Sequence, residues 1–244
     1  MREVVRVGDG VLGGLSQVHH KGFLHLDVKP TNVLFSSNGS PLLADFGQAR
    51  EVRQNGAVQV PEMYKHAWPP EVVTRGVATV ESDLFQIGLL LYRAANGDPW
   101  YQQQIPLPSE LATKIAKGRF PNRSLFMPHL PSRLKRVIRK ALRVDPAERY
   151  RTATEMAQAL GRVEFTLDWT IAPLPNGGTE WRASRRDQPD LVVQLHCDRG
   201  MLRVEAYTER GSDRRAKRPC DFRRQFRKLQ DANEHLSMVF EELA

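Results

Sequence analysis

Residues 25–47 read HLDVKPTNVLFSSNGSPLLADFG. Two apolar runs, 33–35 and 41–44, flank Ser36-Ser37-Asn38-Gly39, and an Asn-Gly pair between apolar runs is the strongest short-range hairpin signal. A tight hairpin brings the outer ends of its two strands together. Asn32 at one end and Asp45 at the other are therefore expected as neighbours. An amide oxygen beside a carboxylate makes a hard, oxygen-rich site suited to Mg²⁺. Asp27 and Lys29 project from the same loop, a carboxylate beside a cation. Singly, each residue has a plainer reading: Asp27 as a turn cap, Asn32 as a loop tie, Asp45 as a strand-end carboxylate. Their spacing along one hairpin is what sets them apart.

Outward from the hairpin, residues 11–22 read as the end of a helix with Gly22 as its C-cap. The Gly-containing run at 8–14 belongs to that helix and not to a phosphate-binding loop, because no strand precedes it. Residues 45–71 are irregular. Residues 82–96 (SDLFQIGLLLYRAAN) are apolar almost all round and predict a buried helix ended by Gly97, with Pro99 just beyond. Helices follow near 108–117, 131–143 and 152–161. In the second, Leu134, Val137, Ile138, Ala141 and Leu142 form one face, while Arg133, Arg136, Lys140 and Arg143 line another. The composition changes near residue 163. Strand-like runs follow at 164–171, 180–184, 191–197 and 201–208, with turns at 175–178 and 198–200. A polar, basic loop at 209–220 leads to a helix expected to open after Asp221 as N-cap and to carry Phe222, Phe226, Leu229, Leu236, Val239, Phe240 and Leu243. The fold class expected is α+β, a mainly helical part (1–162) followed by a small antiparallel sheet-and-helix domain (163–244).

The chain has 244 residues, 41% of them hydrophobic and 26% charged, which excludes collagen-like and wholly disordered classes. No apolar run approaches the roughly 20 residues of a membrane helix, so no membrane partner is expected. The first ten residues carry charges where a signal peptide needs an apolar core. The two cysteines, Cys197 and Cys220, stand in no metal-binding spacing, and a reducing, cytoplasmic setting is the expectation. His19, His20 and His25 lack a third ligand of suitable spacing and are read as a helix end and a packed histidine. The net charge is +8. Residues 1–162 hold 22 Lys and Arg against 14 Asp and Glu, whereas residues 163–244 hold 14 of each. Between 210 and 228 lie nine Lys and Arg, a window able to grip nucleic-acid phosphates, although a solvated loop is the favoured reading because the segment around it is neutral.

HLDVKPTN and ADFG, in this order and joined by a hairpin, resemble the catalytic loop and the metal-binding D-F-G of the protein kinase superfamily. Pro69-Pro70-Glu71 resembles the A-P-E that ends the activation segment. SDLFQIGLLLY resembles the central helix of the C-terminal lobe, in which Asp83 holds the catalytic-loop backbone. DPAERYRTA resembles the last turn of that lobe, in which Arg149 pairs with Glu71. The resemblance covers residues 10–162 and implies a Ser/Thr protein kinase that transfers the γ-phosphoryl group of ATP to a protein hydroxyl, with ATP and Mg²⁺ as cofactors and a protein as substrate. It implies Asp27 as acceptor of the hydroxyl proton and Lys29 as neutraliser of the transferred group. It implies Asn32 and Asp45 as metal ligands and Leu34 as the floor under adenine. His25 and Phe46 are expected to stack.

The sequence also departs from the family. Only 24 residues precede His25, and no Gly-rich loop or V-A-I-K lysine is present, so a truncated or split kinase is expected, with its N-terminal lobe or a partner chain covering the hairpin face. The alternatives are an inactive pseudokinase-type interaction module and, less favoured, a nucleic-acid-associated regulator. Leu26 stands where regulated members carry Arg, and residues 48–70 contain Tyr64 as their one hydroxyl, so no activation by phosphorylation is expected there. MYKHAWPPE lacks the usual Thr before the A-P-E-like stretch.

Overall fold

The structure is a computed structural model. It describes residues 1–52, 56–60, 67–175, 177–198, 200–210, 213–216 and 222–243, with the side chains of 210 and 213–216 left aside. The chain is mixed α+β and divides into two compact units. One comprises Arg2–Phe126 and Pro131–Glu164; the other comprises Met1, Met127–Leu130 and Phe165–Ala244.

The first unit is built around two helices. Helix α1 (Arg2–His20) buries Val4, Gly8, Val11, Leu12 and Leu15. Two of its glycines, poor helix formers, are explained by close approach. A Cβ on Gly8 would lie 2.7 Å from side-chain atoms of Leu91 and Leu160, and one on Gly10 would lie 2.4 Å from Pro41 Cγ. Two short strands, β1 (Phe23–Leu24) and β2 (Val33–Phe35), follow, and β2 pairs with β3 (Pro41–Leu43) as the Asn-Gly turn requires. The register sets Val33 opposite Leu43 and Leu34 opposite Leu42.

The stretch 45–71, expected as irregular, holds two more strands among its described residues, β4 (Arg50–Glu51) on β1 and β5 (Val58–Gln59) on β6 (Val77–Ala78). It also holds the start of helix α2 (Pro70–Arg75), closed by Gly76 at φ 68°. Two-residue strands contain no period to read, so tertiary pairing alone defines them.

Helix α3 (Val80–Asn96) opens with a capping box between Thr79 and Ser82, ends at Gly97 and is buried along most of its length. Of the helices that follow, α4 (Asp98–Gln102) and α6 (Ser132–Ala141) pack on it, α5 (Pro108–Ala116) lies against α2, and α7 (Ala153–Gly161) lies against α1 and α6. Leu134, Val137, Ile138 and Ala141 of α6 are buried, and α6 comes so close to α3 that a Cβ on Gly88 would meet Ala141 Cβ at 2.9 Å.

The second unit differs from expectation in its strand count. Strands β7 (Thr170–Pro173), β8 (Gly178–Arg185), β9 (Gln188–Asp198), β10 (Met201–Arg210) and β11 (Asp213–Ala216) form an antiparallel sheet, with β12 (Arg224–Phe226) also on β10. The sheet therefore has six strands where four were expected. The first lies at 170–173, later than the expected 164–171. It is a sheet edge with all four residues exposed, so it offers no alternation to the eye.

Helix α8 (Leu229–Leu243) begins after β12, not after Asp221, which lies outside the described residues. Phe222 and Phe226 are four residues apart, a spacing that satisfies both the helical and the two-residue period, and the ladder to Leu202–Val204 decides for a strand at Phe226. The core joins Trp169, Trp181, Val193 and Val204 to Leu236, Val239 and Phe240 of α8. Trp181 Nε1 donates to His129 Nδ1 at 3.1 Å, which satisfies its buried N–H.

Candidate functional site

The loop between β1 and β2 is anchored from beneath by α3. Asp83, fully buried, accepts the backbone N–H groups of His25 (2.9 Å) and Leu26 (2.8 Å) and holds His19 Nε2 at 2.8 Å. Gln86, one turn further on, accepts Val28 N–H at 3.0 Å and donates to Leu26 O at 3.1 Å. Two buried polar side chains three residues apart on a largely apolar helix thus satisfy a loop that has no ladder of its own. The part played by Gln86 was not foreseen. Its signal is that spacing from Asp83, one face of the helix carrying both polar groups.

Held in this way, the loop presents Asp27. This carboxylate is 6% exposed. Its Oδ2 accepts from Lys29 Nζ at 2.7 Å and from Asn32 Nδ2 at 2.9 Å, and Asn32 Nδ2 also reaches Asp27 O at 2.8 Å. Asp27, Lys29 and Asn32 therefore meet at one carboxylate oxygen.

The β2–β3 hairpin returns the chain to the loop, where Ala44 N–H donates to Asn32 O at 2.9 Å. Asp45 follows at φ 61°, a left-handed conformation costly for a residue other than glycine, with its exposed side chain capping Gly47 N–H at 3.2 Å. Asn32 and Asp45 are thus joined through their backbones. With the Asn32 amide nitrogen committed to Asp27, its Oδ1, which accepts from Thr31 Oγ1 at 3.4 Å, keeps a second lone pair for a cation. That oxygen and the Asp45 carboxylate are the hard donors Mg²⁺ requires, so the residues present fit the ion, which would complete its shell with phosphate oxygens and water.

Leu34 is 55% exposed, and Phe35, Leu42 and Phe46 are exposed beside it. His25 packs edge-on to Phe46 at 5.0 Å and lies within 3.2 Å of Ala44 O through Nε2. Burial pushes the His25 imidazole below its ordinary pKa against the opposing pull of Asp83 and the Ala44 carbonyl.

Leu26, at φ 65°, is fully buried in an apolar cluster with Leu24, Val58, Val72 and Ala78. At the position where the resemblance expects a phosphate-gripping arginine, this chain ties the loop to β5, α2 and β6 by hydrophobic contact. Below the cluster, Glu71 and Arg149 form a buried bidentate pair at 2.8 and 2.7 Å. Residues 63–66 of MYKHAWPPE, Tyr64 among them, lie outside the described residues, as do most side chains of the basic window, among them Arg214, Arg215 and Arg218. Among the described residues no group of three or more His, Cys, Asp or Glu is placed to hold a metal, and no helix is long and apolar enough to cross a membrane.

Residues 1–160 match the protein kinase domain family. Among curated proteins, the chain is 32% identical over 160 residues to a probable serine/threonine-protein kinase PknB of Lactococcus lactis, covering 63% of this chain and 25% of that protein. It is 31% identical over 189 residues to the serine/threonine-protein kinase PknL of Mycobacterium tuberculosis, covering 74% and 46%. It is 27% identical over 161 residues to the serine/threonine-protein kinase PrkC of Bacillus subtilis, covering 64% and 24%. The chain thus spans less than half the length of each of these relatives.

Proposed function

Because the chain belongs to the protein kinase family, we propose that it provides the catalytic-loop half of a Ser/Thr protein kinase, residues 1–162, followed by an accessory domain, residues 163–244. The observation that carries this reading is the convergence of Lys29 and Asn32 on one oxygen of the buried Asp27.

In this reading Asp27 accepts the proton of a substrate hydroxyl. The hydroxyl oxygen forms its bond to the γ-phosphorus of ATP, the bond from that phosphorus to the β–γ bridging oxygen breaks, and ADP leaves. Lys29 turns from Asp27 to the transferred phosphoryl group and offsets its charge. Asn32 Oδ1 and the Asp45 carboxylate would hold Mg²⁺, which when bound would neutralise the phosphates. Such positioning and charge neutralisation supply most of the acceleration in phosphoryl transfer. Leu34 lies under the adenine. The Gly-rich loop and lysine that the family places over the phosphates are not among these 244 residues. We assign them to a segment outside this sequence, seated on the exposed face formed by Leu34, Phe35, Leu42 and Phe46.

A thermal-shift titration of the chain with Mg²⁺ and ATP, beside an Asp45→Ala variant, tests the site. A ligand confined to the folded state adds about 2.7 kcal/mol at a hundred times its dissociation constant. The expected result is a rise in melting temperature that disappears in the variant. No rise, or an equal rise in both proteins, favours instead a binding module without turnover, for which the same uncovered face is the supporting observation.

A further inference from the structure

The basic excess of the first unit has one focus. Ser132, Arg136, Arg139, Lys140 and Arg143 fall on successive turns of one face of α6 and its C-terminal extension, opposite the residues buried against α3. With Glu148 they line a cleft of about 550 Å³. The cations are unevenly paired. Arg143 faces Glu148 at 3.8 Å, and Lys140 is held by Glu155 at 2.9 Å. Arg139 lies over the Phe126 ring at 5.0 Å and donates through Nε to Arg123 O at 3.0 Å, which fixes its stem and, among the described residues, leaves both terminal nitrogens uncommitted. Arg136 has no carboxylate within ion-pair distance among the described residues, and neither does the half-buried Arg123 nearby. Burial, together with Arg143 and Arg149, holds the Arg123 guanidinium below its ordinary range. A concentration of like charge on two helical turns is unfavourable unless an anion completes it.

We propose that the α6 cleft binds a phosphorylated polypeptide segment, with the Arg136 and Arg139 guanidinium groups as forks on the phosphoryl oxygens. Guanidinium forks match that group in a bidentate way, and clustered arginines on a rigid helix are the usual device for it. The cations are gathered on a ten-residue helix, roughly 15 Å long, and the short stretch that follows it, which suits one concentrated dianion. A nucleic-acid backbone needs a longer track, and here Glu148 and Glu155 interrupt it. The proposal concerns a binding site apart from Asp27 and does not depend on phosphoryl transfer.

The test is fluorescence anisotropy of the whole chain with a short fluorescein-labelled peptide bearing two adjacent phosphoserines. Comparators are the same peptide with serine, the same peptide with glutamate, and a single-stranded oligonucleotide of equal charge. The expected result is binding of the phosphopeptide alone, weakened about tenfold or more in Arg136→Ala/Arg139→Ala. It should change by less than about twofold in Arg75→Ala/Arg186→Ala, which removes the same charge from other exposed positions. All four positions are exposed, and circular dichroism confirms that both variants fold. Equal weakening in the two variants, equal binding of the glutamate peptide or the oligonucleotide, or no binding of the phosphopeptide would each overturn the proposal.

Discussion

Replacing Arg149 by Met is expected to be the most damaging conservative change in the first unit. Arg149 is 2% exposed and donates to five acceptors. Two are the oxygens of Glu71, and three are the carbonyls of Arg143 (2.8 Å), Glu81 (2.8 Å) and Val144 (3.1 Å). Its guanidinium also lies 4.8 Å from the Phe85 ring centroid. Methionine fills much of the volume and keeps the apolar contact, so the cost is electrostatic. Glu71 is left buried with the Ser82 hydroxyl, 2.7 Å away, as its remaining donor among these contacts.

Breaking a buried ion pair from one side costs about 3–5 kcal/mol. The stranded carbonyls add roughly 1 kcal/mol each where water cannot reach them. Since they overlap with the pair, the expected loss is about 4–6 kcal/mol, a large share of the roughly 5–15 kcal/mol that holds a domain folded. Glu71→Gln keeps the shape but sets an N–H against the guanidinium, and should cost about 2–4 kcal/mol. The double variant should lie at least about 2 kcal/mol above the additive expectation, because the second change removes an unpaired charge. Urea unfolding followed by far-UV circular dichroism, with the slope compared across the four proteins, measures this cycle. A loss under about 2 kcal/mol for Arg149→Met, or a coupling under about 0.5 kcal/mol, would refute the reasoning.

Two further outcomes follow from the packing. Gly10→Ala should destabilise by about 1–3 kcal/mol, because its Cβ meets Pro41 Cγ at 2.4 Å and Pro41 O at 3.0 Å. Gly13→Ala, on the same helix with nothing within 4 Å, should stabilise by about 0.5–1 kcal/mol; urea midpoints that shift alike for both would show that helix propensity and not close approach governs α1. His25 is held below its ordinary value of 6.5 by burial. The unfolded chain therefore binds the proton more readily, so this contribution to stability is present above pH 6.5 and is lost as pH falls from there toward the folded value. Melting temperatures should fall more steeply over that window for the native protein than for His25→Gln, and parallel curves would count against the assignment.

The hairpin, the end of α1 and the helices α3, α5, α6 and α7 were legible from residues 25–47 and from apolar spacing, because a turn type and a helical face are local properties, whereas the short helices α2 and α4 were not. The pairing of Glu71 with Arg149, 78 residues apart, was legible only through resemblance. The two-residue strands β1, β4, β5 and β6, the exposed edge strand β7, the strand β11 inside the stretch expected as a basic loop (209–220) and the strand β12 were not legible. Each is too short, too evenly exposed or too ambiguous in period to mark itself, and its partner across the sheet defines it. The site divides in the same way. The sequence by itself determined which side chains the proposed function draws on, since Asp27, Lys29, Asn32 and Asp45 stand at fixed positions along one loop and hairpin. Only the tertiary structure decided that Asp83 and Gln86 hold that loop from below, that Leu26 fastens it by apolar contact, and that the arginines of α6 gather around one cleft. These are relations between segments distant in the chain, set by the packing of whole elements, and local residue order does not encode them.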